Sequence, residues 1–176
     1  VRNATKKAIE TAKENGAVIS FDPNLRPPLW RNLQEAKEQI WYGLSQCSAV
    51  KMSEEELEFI TGERSLDRGV EAVRNRFDIP LICITMGKQG SKAYYGDAAV
   101  EKAGFVQEHT IETTGAGDTF CASMINYILD HGIQGLTEKD LEEMLTFANA
   151  AASIITTRKG ALRVMPTREE VQALLN

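Results

Sequence analysis

The sequence has little that would place the chain in a membrane or on nucleic acid. No apolar run approaches the roughly 18 residues that a membrane span needs. The formal charge is −5, whereas a general nucleic-acid binder needs clustered Lys and Arg for its phosphate contacts. We therefore expect neither a membrane nor a nucleic acid as a partner.

Paired cysteines and clustered histidines are also missing. The three cysteines, Cys47, Cys83 and Cys121, lie far apart without a Cys-x-x-Cys pair, which suits apolar core positions in a reducing compartment. His109 and His131 are not spaced as metal ligands. The first residues show no secretory signal, so the expected location is cytoplasmic.

The order of the predicted elements indicates an α/β fold. Up to residue 85, the patterns predict helices over residues 4–14, 33–44, 54–60 and 66–77 and strands over residues 17–21, 49–52 and 81–85. The last of these strands is almost continuously apolar, as in parallel sheets covered on both faces. Strands 91–95 and 98–102 then form a hairpin around Gly96–Asp97. Helices follow over residues 117–132, 137–157 and 168–175.

Two helix starts carry capping boxes. Ser53 with Glu56, and Thr137 with Asp140, have the residue types and spacing of this motif. Between these helices, the one over residues 117–132 is expected to bury one apolar face, formed by Phe120, Cys121, Met124, Ile125, Ile128 and Leu129.

The most informative segment is Thr113–Phe120, which reads TTGAGDTF. Small residues at 115–117 let the backbone approach a ligand closely. A helix begins there, so unpaired N–H groups and the positive end of the helix dipole form a site for an anion. Asp118 is either a favourable cap, or a base that takes a proton from a hydroxyl while the amides stabilise a transferred phosphoryl group.

At this point the sequence resembles the ribokinase-like sugar kinases, often called the PfkB family. The family's C-terminal signature contains DTxGAGDxF, and Glu112–Phe120 reads ETTGAGDTF. The stretch Asp22–Trp30 is most similar to the bacterial fructokinases. Further segments agree in order and spacing: Phe21–Arg26, Thr85–Ser91, Phe147–Ala152, and Thr157–Ala161 followed by Pro166.

The resemblance implies a three-layer α/β/α, Rossmann-like fold with a mostly parallel central sheet. Residues 1–176 would be the C-terminal, nucleotide-binding part of a single kinase domain, whose N-terminal strands and small β lid would precede Val1. The implied activity is ATP-dependent phosphorylation of a sugar primary hydroxyl, with fructose as the expected substrate. The isolated chain would then be incomplete for activity, and the full-length enzyme would be a homodimer formed through the lid.

Two alternatives remain open at this stage. One is a kinase for another sugar, such as 2-keto-3-deoxygluconate or ribose. The other is a non-catalytic nucleotide-binding remnant, although the presence of the full Gly-Ala-Gly-Asp string argues against loss of catalytic function.

The resemblance also implies roles for individual residues around the nucleotide. Asp118 would be the base, and the amides of Gly115, Ala116 and Gly117 would form the anion hole for the γ-phosphoryl group. A glycine turn would lie along the phosphates and ribose, with contacts from Thr85, Gly87 and Gly90. A helix would border the adenine, with contacts from Ala148, Asn149 and Ala152. A plain strand connection and a tightly packed core helix are the alternatives for these two segments.

Sugar contacts are expected in the segment that follows the first strand. Asp22 and Asn24 stand at a strand end, where open α/β sheets gather ligands. Arg26 can bind a hydroxyl, carboxylate or phosphate, or it is an ordinary surface arginine in a proline-rich loop.

The chain departs from the family pattern at two positions that bear on cations. Glu56 matches the acidic residue that organises Mg²⁺ through water, but Ser53 replaces the usual Asn. Glu112 stands where Asp is usual in a site for a monovalent cation such as K⁺. Thr114 and the backbone of residues 156–160 would be its partners. The implied cofactors are therefore ATP and Mg²⁺, with K⁺ as a candidate.

Overall fold

The computed structural model describes residues 2–176. The chain divides into two compact units, one ending at Ile84 and the other Thr85–Asn176. Each unit combines helices and strands, which confirms the predicted α/β class. Among residues 2–176, no helix is both long and apolar enough to cross a bilayer.

The first unit carries a parallel strand pair in its core. β1 pairs in parallel with β2, with Ser20 opposite Ala49 and Phe21 opposite Val50, and β3 follows on the other side of β2. The interiors of β2 and β3 are buried, as their apolar sequences predict. The elements up to residue 85 are α1 (Arg2–Glu14), β1 (Ser20–Phe21), α2 (Leu33–Leu44), β2 (Ala49–Ser53), α3 (Glu54–Thr61), α4 (Leu66–Arg74) and β3 (Leu81–Thr85).

The strand predicted over residues 17–21 covers only Ser20–Phe21. The reason is the end of α1, where the Ala17 N–H donates to the Ala12 carbonyl at 2.9 Å and the Gly16 N–H to the Lys13 carbonyl at 3.1 Å. This pair of bonds is a Schellman motif, which uses Ala17 to close the helix. The helix predicted over residues 66–77 likewise ends early, at Arg74.

The second unit is built on a hairpin and three helices. Its elements are β4 (Gly90–Tyr95), β5 (Ala98–Ala103), α5 (Ala116–His131), α6 (Glu138–Ile155) and α7 (Arg168–Leu175). β4 and β5 are antiparallel, with Tyr95 opposite Ala98, so the predicted hairpin is confirmed. α6 packs against α5, α7 and the hairpin.

The predicted apolar face of α5 is too wide. Phe120, Met124 and Ile128 are buried, but Ile125 is exposed and Leu129 is 77% exposed. The buried residues are four apart and form one narrow stripe, whereas Ile125 and Leu129 lie about 100° further around the helix.

Both predicted capping boxes are present. Ser53 with Glu56 opens α3, and Thr137 with Asp140 opens α6. A third capping box, Thr167 with Glu170, opens α7 and was not anticipated.

Candidate active site

The start of α5 has the form that its glycines predict. Gly115 is the N-cap in the left-handed conformation, with φ +85°, and the Thr119 N–H donates to its carbonyl at 2.8 Å. A Cβ at Gly115 would lie 3.0 Å from Ile155 Cδ1, so glycine is favoured by both conformation and space. Asp118 is exposed in the first turn of the helix.

Not all of the predicted anion-hole amides are available. The Ala116 N–H donates to the Thr113 carbonyl at 3.2 Å. The N–H groups of Gly117 and Asp118 belong to the first turn of α5, where a helix offers no acceptor of its own. These two donors and the helix dipole make the start of α5 a site for negative charge.

A cavity of about 250 Å³ lies beside this helix start, within residues 85–176. One wall comes from the α5 region: Thr113, Ala116, Gly117 and Phe120. A second is a single face of α6: Asn149, Ala152, Ser153 and Thr156. The rest comes from Thr85, Gly87, Lys88 and Gly90 and from the segment Gly104–Gln107 with Thr110.

The cavity brings together most of the residues predicted to contact the nucleotide. Thr85, Gly87, Gly90, Asn149 and Ala152 all line it. Three predicted residues do not. Ala148 is completely buried, since it lies on the core side of α6, while Gly115 and Asp118 flank the cavity next to Gly117.

Asn149 is held by the hairpin. Its Oδ1 accepts from the Ser91 hydroxyl at 2.8 Å, and its Nδ2 donates to the carbonyls of Lys102 at 3.1 Å and Ala103 at 3.2 Å. Both amide hydrogens are therefore used within the fold. Asn149 shapes the cavity wall, and its hydrogen-bonding capacity serves the junction between α6 and β5.

The two predicted glycines of the turn differ in what requires them. A Cβ at Gly90 would lie 2.1 Å from the Lys102 carbonyl oxygen, because the two strands of the hairpin touch there. Gly87 has φ +56° and no atom within 4 Å of a built Cβ. Gly90, with φ +113°, is thus favoured by both packing and backbone conformation, whereas within the fold Gly87 is favoured by its backbone conformation alone.

In the first unit, Asp22, Asn24 and Arg26 form a short polar segment after β1. Asp22 Oδ1 accepts from the Asn24 N–H at 3.1 Å, and Asn24 has φ +44°, so the segment is a tight turn. The Arg26 side chain is exposed and donates to the Leu25 carbonyl at 3.2 Å.

Lys51 belongs to the same polar group, although the sequence did not single it out. Its side chain is 8% exposed, and Nζ lies 3.3 Å from Asp22 Oδ2. Burial raises the pKa of Asp22, and the nearby Lys51 ammonium opposes that rise. The available signal was a charged residue at the centre of an apolar strand, where a buried partner is required.

The family of pfkB carbohydrate kinases matches residues 1–168. The chain belongs to this family. Fructokinase-1 of Zea mays is 41% identical over 174 residues, which are 99% of this chain and 54% of the relative. Fructokinase-1 of Oryza sativa subsp. japonica is 39% identical, with the same coverage. The chain thus spans about half the length of the curated relatives it matches.

Solved structures of pfkB-type kinases confirm the predicted ribokinase-like fold. The fructokinase from Vibrio cholerae O395, determined with fructose, ADP and calcium ion, has a TM-score of 0.88 at 32% identity. The match covers 99% of this chain and 56% of that one. The fructokinase from Xylella fastidiosa with bound ATP has a TM-score of 0.84 at 26% identity, covering 97% of this chain and 55% of that one.

Glu112, one of the two departures from the pfkB pattern, joins the segment before α5 to the loop after α6. Its Oε1 accepts from the Gly160 N–H at 2.8 Å. The Thr156 carbonyl, one of the expected cation partners, accepts the N–H groups of Ile111 at 2.8 Å and Glu112 at 3.3 Å. Thr114 is exposed. Glu112 Oε1 and the Thr156 carbonyl are thus engaged by backbone amides, and a K⁺ ion at this junction stays a prediction.

Glu56, the residue expected to organise Mg²⁺, also has a structural task. Its Oε2 accepts from the Ser53 N–H at 2.8 Å in the capping box, and its Oε1 accepts from the Leu25 N–H at 2.7 Å. Within residues 2–176 no group of three or more His, Cys, Asp or Glu side chains is placed to hold a metal. Through the Leu25 N–H, Glu56 anchors the segment that carries Asp22 and Arg26, and its role toward Mg²⁺ stays a prediction.

Proposed function

We propose that this chain carries the nucleotide site and the catalytic base of an ATP-dependent kinase that phosphorylates a primary hydroxyl of fructose. One observation carries the proposal. Asp118 presents an exposed carboxylate in the first turn of α5, and the adjacent Gly117 lines a cavity at the same helix start. A base and a site for negative charge thus stand side by side.

The nucleotide would occupy the cavity within residues 85–176. Its phosphates are negatively charged and belong at the α5 start, where the N–H groups of Gly117 and Asp118 and the helix dipole favour an anion. The small side chain of Ala152 leaves a low wall for a flat base. The Vibrio and Xylella fructokinases, solved with ADP and with ATP, support a nucleotide as the ligand.

In the reaction, Asp118 takes the proton of the sugar hydroxyl. The hydroxyl oxygen forms a bond to the γ-phosphorus, and the bond from that phosphorus to the oxygen shared with ADP breaks. The products are the sugar phosphate and ADP. The amides at the α5 start stabilise the charge on the transferred group. Mg²⁺, when bound with the nucleotide, would neutralise phosphate charge.

Asp22, Asn24 and Arg26 are proposed to contact the sugar. Arg26 is exposed and retains guanidinium donors beyond the one used on Leu25. Asp22 is fixed by its ion pair with Lys51, and Glu56 holds the segment through the Leu25 N–H. This arrangement would keep the polar groups in place before a sugar binds.

The test is the substitution Asp118→Asn in the full-length enzyme. We expect sugar phosphorylation to be abolished while ATP still binds, since the change removes the base and leaves the cavity intact. ADP release with fructose and a panel of other sugars measures the first effect, and calorimetry measures the second. Asp130→Asn, an exposed carboxylate change in the last turn of the same helix, is the control. Near wild-type turnover in Asp118→Asn would refute the assignment.

A further inference from the structure

Gln107 and Ser153 form a hydrogen-bonded pair in the wall of the cavity. Gln107 Nε2 donates to Ser153 Oγ at 3.0 Å, and both residues line the cavity. Ser153 Oγ in turn donates its own proton to the Ala150 carbonyl at 2.8 Å. Because that proton is already used, Ser153 can only accept from Gln107. The chain of bonds therefore fixes which way the Gln107 amide faces.

A fixed amide presents a defined pattern to a ligand. Gln107 uses one amide hydrogen on Ser153 and keeps its other N–H and the acceptor Oε1 for a ligand. An unrestrained glutamine can rotate its amide by half a turn and so accept either pattern of donors and acceptors. Rotation here would turn Oε1 toward Ser153 Oγ and place two acceptors in contact.

Adenine and guanine differ in the groups that such an amide reads. Adenine has an amino donor next to a ring-nitrogen acceptor, which matches Oε1 and the remaining N–H of Gln107. Guanine has a carbonyl oxygen at the position of the amino group, so that oxygen would face Oε1. A locked amide therefore discriminates between the two bases, and a rotating one does not.

The position of the pair agrees with a base rather than a phosphate. The cavity face of α6 runs from Thr156 to Asn149, which is about 10 Å along the helix axis. Its Thr156 end adjoins the segment leading to α5, since the Thr156 carbonyl accepts the Ile111 and Glu112 N–H groups. Ser153 lies further along this face, beside Ala152.

We propose that Gln107, oriented by Ser153, makes this site select adenine over guanine nucleotides. The inference rests on the proposed function only in requiring that the cavity binds a nucleotide. It assigns Gln107 as a specificity-determining residue and Ser153 as the residue that positions it.

The experiment is equilibrium binding of ATP, GTP and 2′-deoxy-ATP to this chain by titration calorimetry. Wild type is expected to bind ATP more tightly than GTP, by a factor between about 5 and 150, the range for one bidentate contact. Gln107→Leu should lower the affinity for ATP and leave the affinity for GTP unchanged, so that the two affinities become similar. Ser153→Ala should free the amide and raise GTP affinity relative to ATP, an effect that mere loss of structure would not produce.

Gln172→Leu, at an exposed position of α7, is the matched control. Circular dichroism and thermal unfolding establish that each variant is folded. Equal affinity of wild type for ATP and GTP would overturn the inference and leave the proposed nucleotide site standing. Equal loss of affinity for ATP and GTP in Gln107→Leu would also overturn it. The same holds if Gln107→Leu changed only the ratio of the ATP affinity to the 2′-deoxy-ATP affinity, because the amide would then contact the ribose. If wild type bound none of the three, both the nucleotide site and the inference would be refuted.

Discussion

Ser91 on β4 donates a 2.8 Å hydrogen bond to the side-chain carbonyl of Asn149 on α6. The two residues are buried and 58 positions apart in the chain. Together with the bonds from Asn149 to the Lys102 and Ala103 carbonyls, they join the helix to both strands of the hairpin. The cavity wall thus depends on a polar contact inside the second unit.

Ser91→Ala is expected to destabilise the chain by about 1–3 kcal/mol, because it leaves the buried Oδ1 of Asn149 without its donor. Chemical denaturation measures the free energy of unfolding. Ser123→Ala, which removes a half-buried bond to the Thr119 carbonyl within α5, is the control. A Ser91→Ala protein as stable as wild type would show that the hydrogen bond between Ser91 and Asn149 contributes nothing to stability.

Lys51→Met is expected to destabilise the first unit by about 3–5 kcal/mol, since it leaves the largely buried Asp22 carboxylate without its partner. The double variant Asp22→Asn/Lys51→Met should recover part of this loss, because no unpaired charge remains. Denaturation of the wild type, both single variants and the double variant completes the cycle. Additive losses would contradict a coupled pair.

Gly115→Ala is expected to cost about 1–2 kcal/mol of stability for the left-handed conformation, plus a penalty for crowding Ile155. Gly62→Ala is a close control, because Gly62 has the same left-handed conformation, with φ +80° and ψ 4°, and the space around it is open. Gly115→Ala should therefore be the less stable of the two by thermal unfolding. Adding Ile155→Val, which removes the crowding Cδ1, should reduce the difference. If Gly62→Ala were equally destabilised, conformation alone would explain the glycine at position 115.

Acid should weaken the start of α6. The Thr137 hydroxyl and N–H and the Tyr127 hydroxyl bond to Asp140 and lower its pKa from 3.8 to about 2. A lowered pKa stabilises the fold above pH 3.8, and this stabilisation is lost as the pH falls through about 2. Asp140→Asn should therefore unfold at a lower temperature than wild type at pH 5, with the gap closing toward pH 2. Glu138→Gln, a carboxylate substitution in the same turn, is the control. A pH-independent gap would refute the linkage.

Features that depend on a few neighbouring residues could be predicted from the sequence. The Gly115 turn, the helix start beside Asp118 and the capping boxes at Ser53 and Thr137 follow from local conformational preferences. β3 has its predicted bounds because its side chains are apolar throughout. The family signature added roles that these preferences cannot supply.

Features that depend on distant partners were not predictable in this way. The Asn149 side chain looked available to a base because its partners, Ser91 and the β5 carbonyls, are remote in the chain. The bond from the Leu25 N–H to Glu56 was not foreseen because the two residues are 31 positions apart, and the Mg²⁺ role of Glu56 stays a prediction. In both cases tertiary contacts use the polar atoms that the sequence left unassigned.

Gly90 has an evolutionary consequence that separates it from Gly87. The contact that excludes a side chain at Gly90 is with the backbone oxygen of Lys102, and every sequence folding into this hairpin has that oxygen. A descendant that had lost all nucleotide binding would still retain glycine at this position. At Gly87 no protein atom excludes a side chain, so within the fold its replacement is opposed by backbone conformation. Glycine retained at position 90 in descendant sequences would therefore indicate that the hairpin is retained, and it would not indicate that kinase activity is retained.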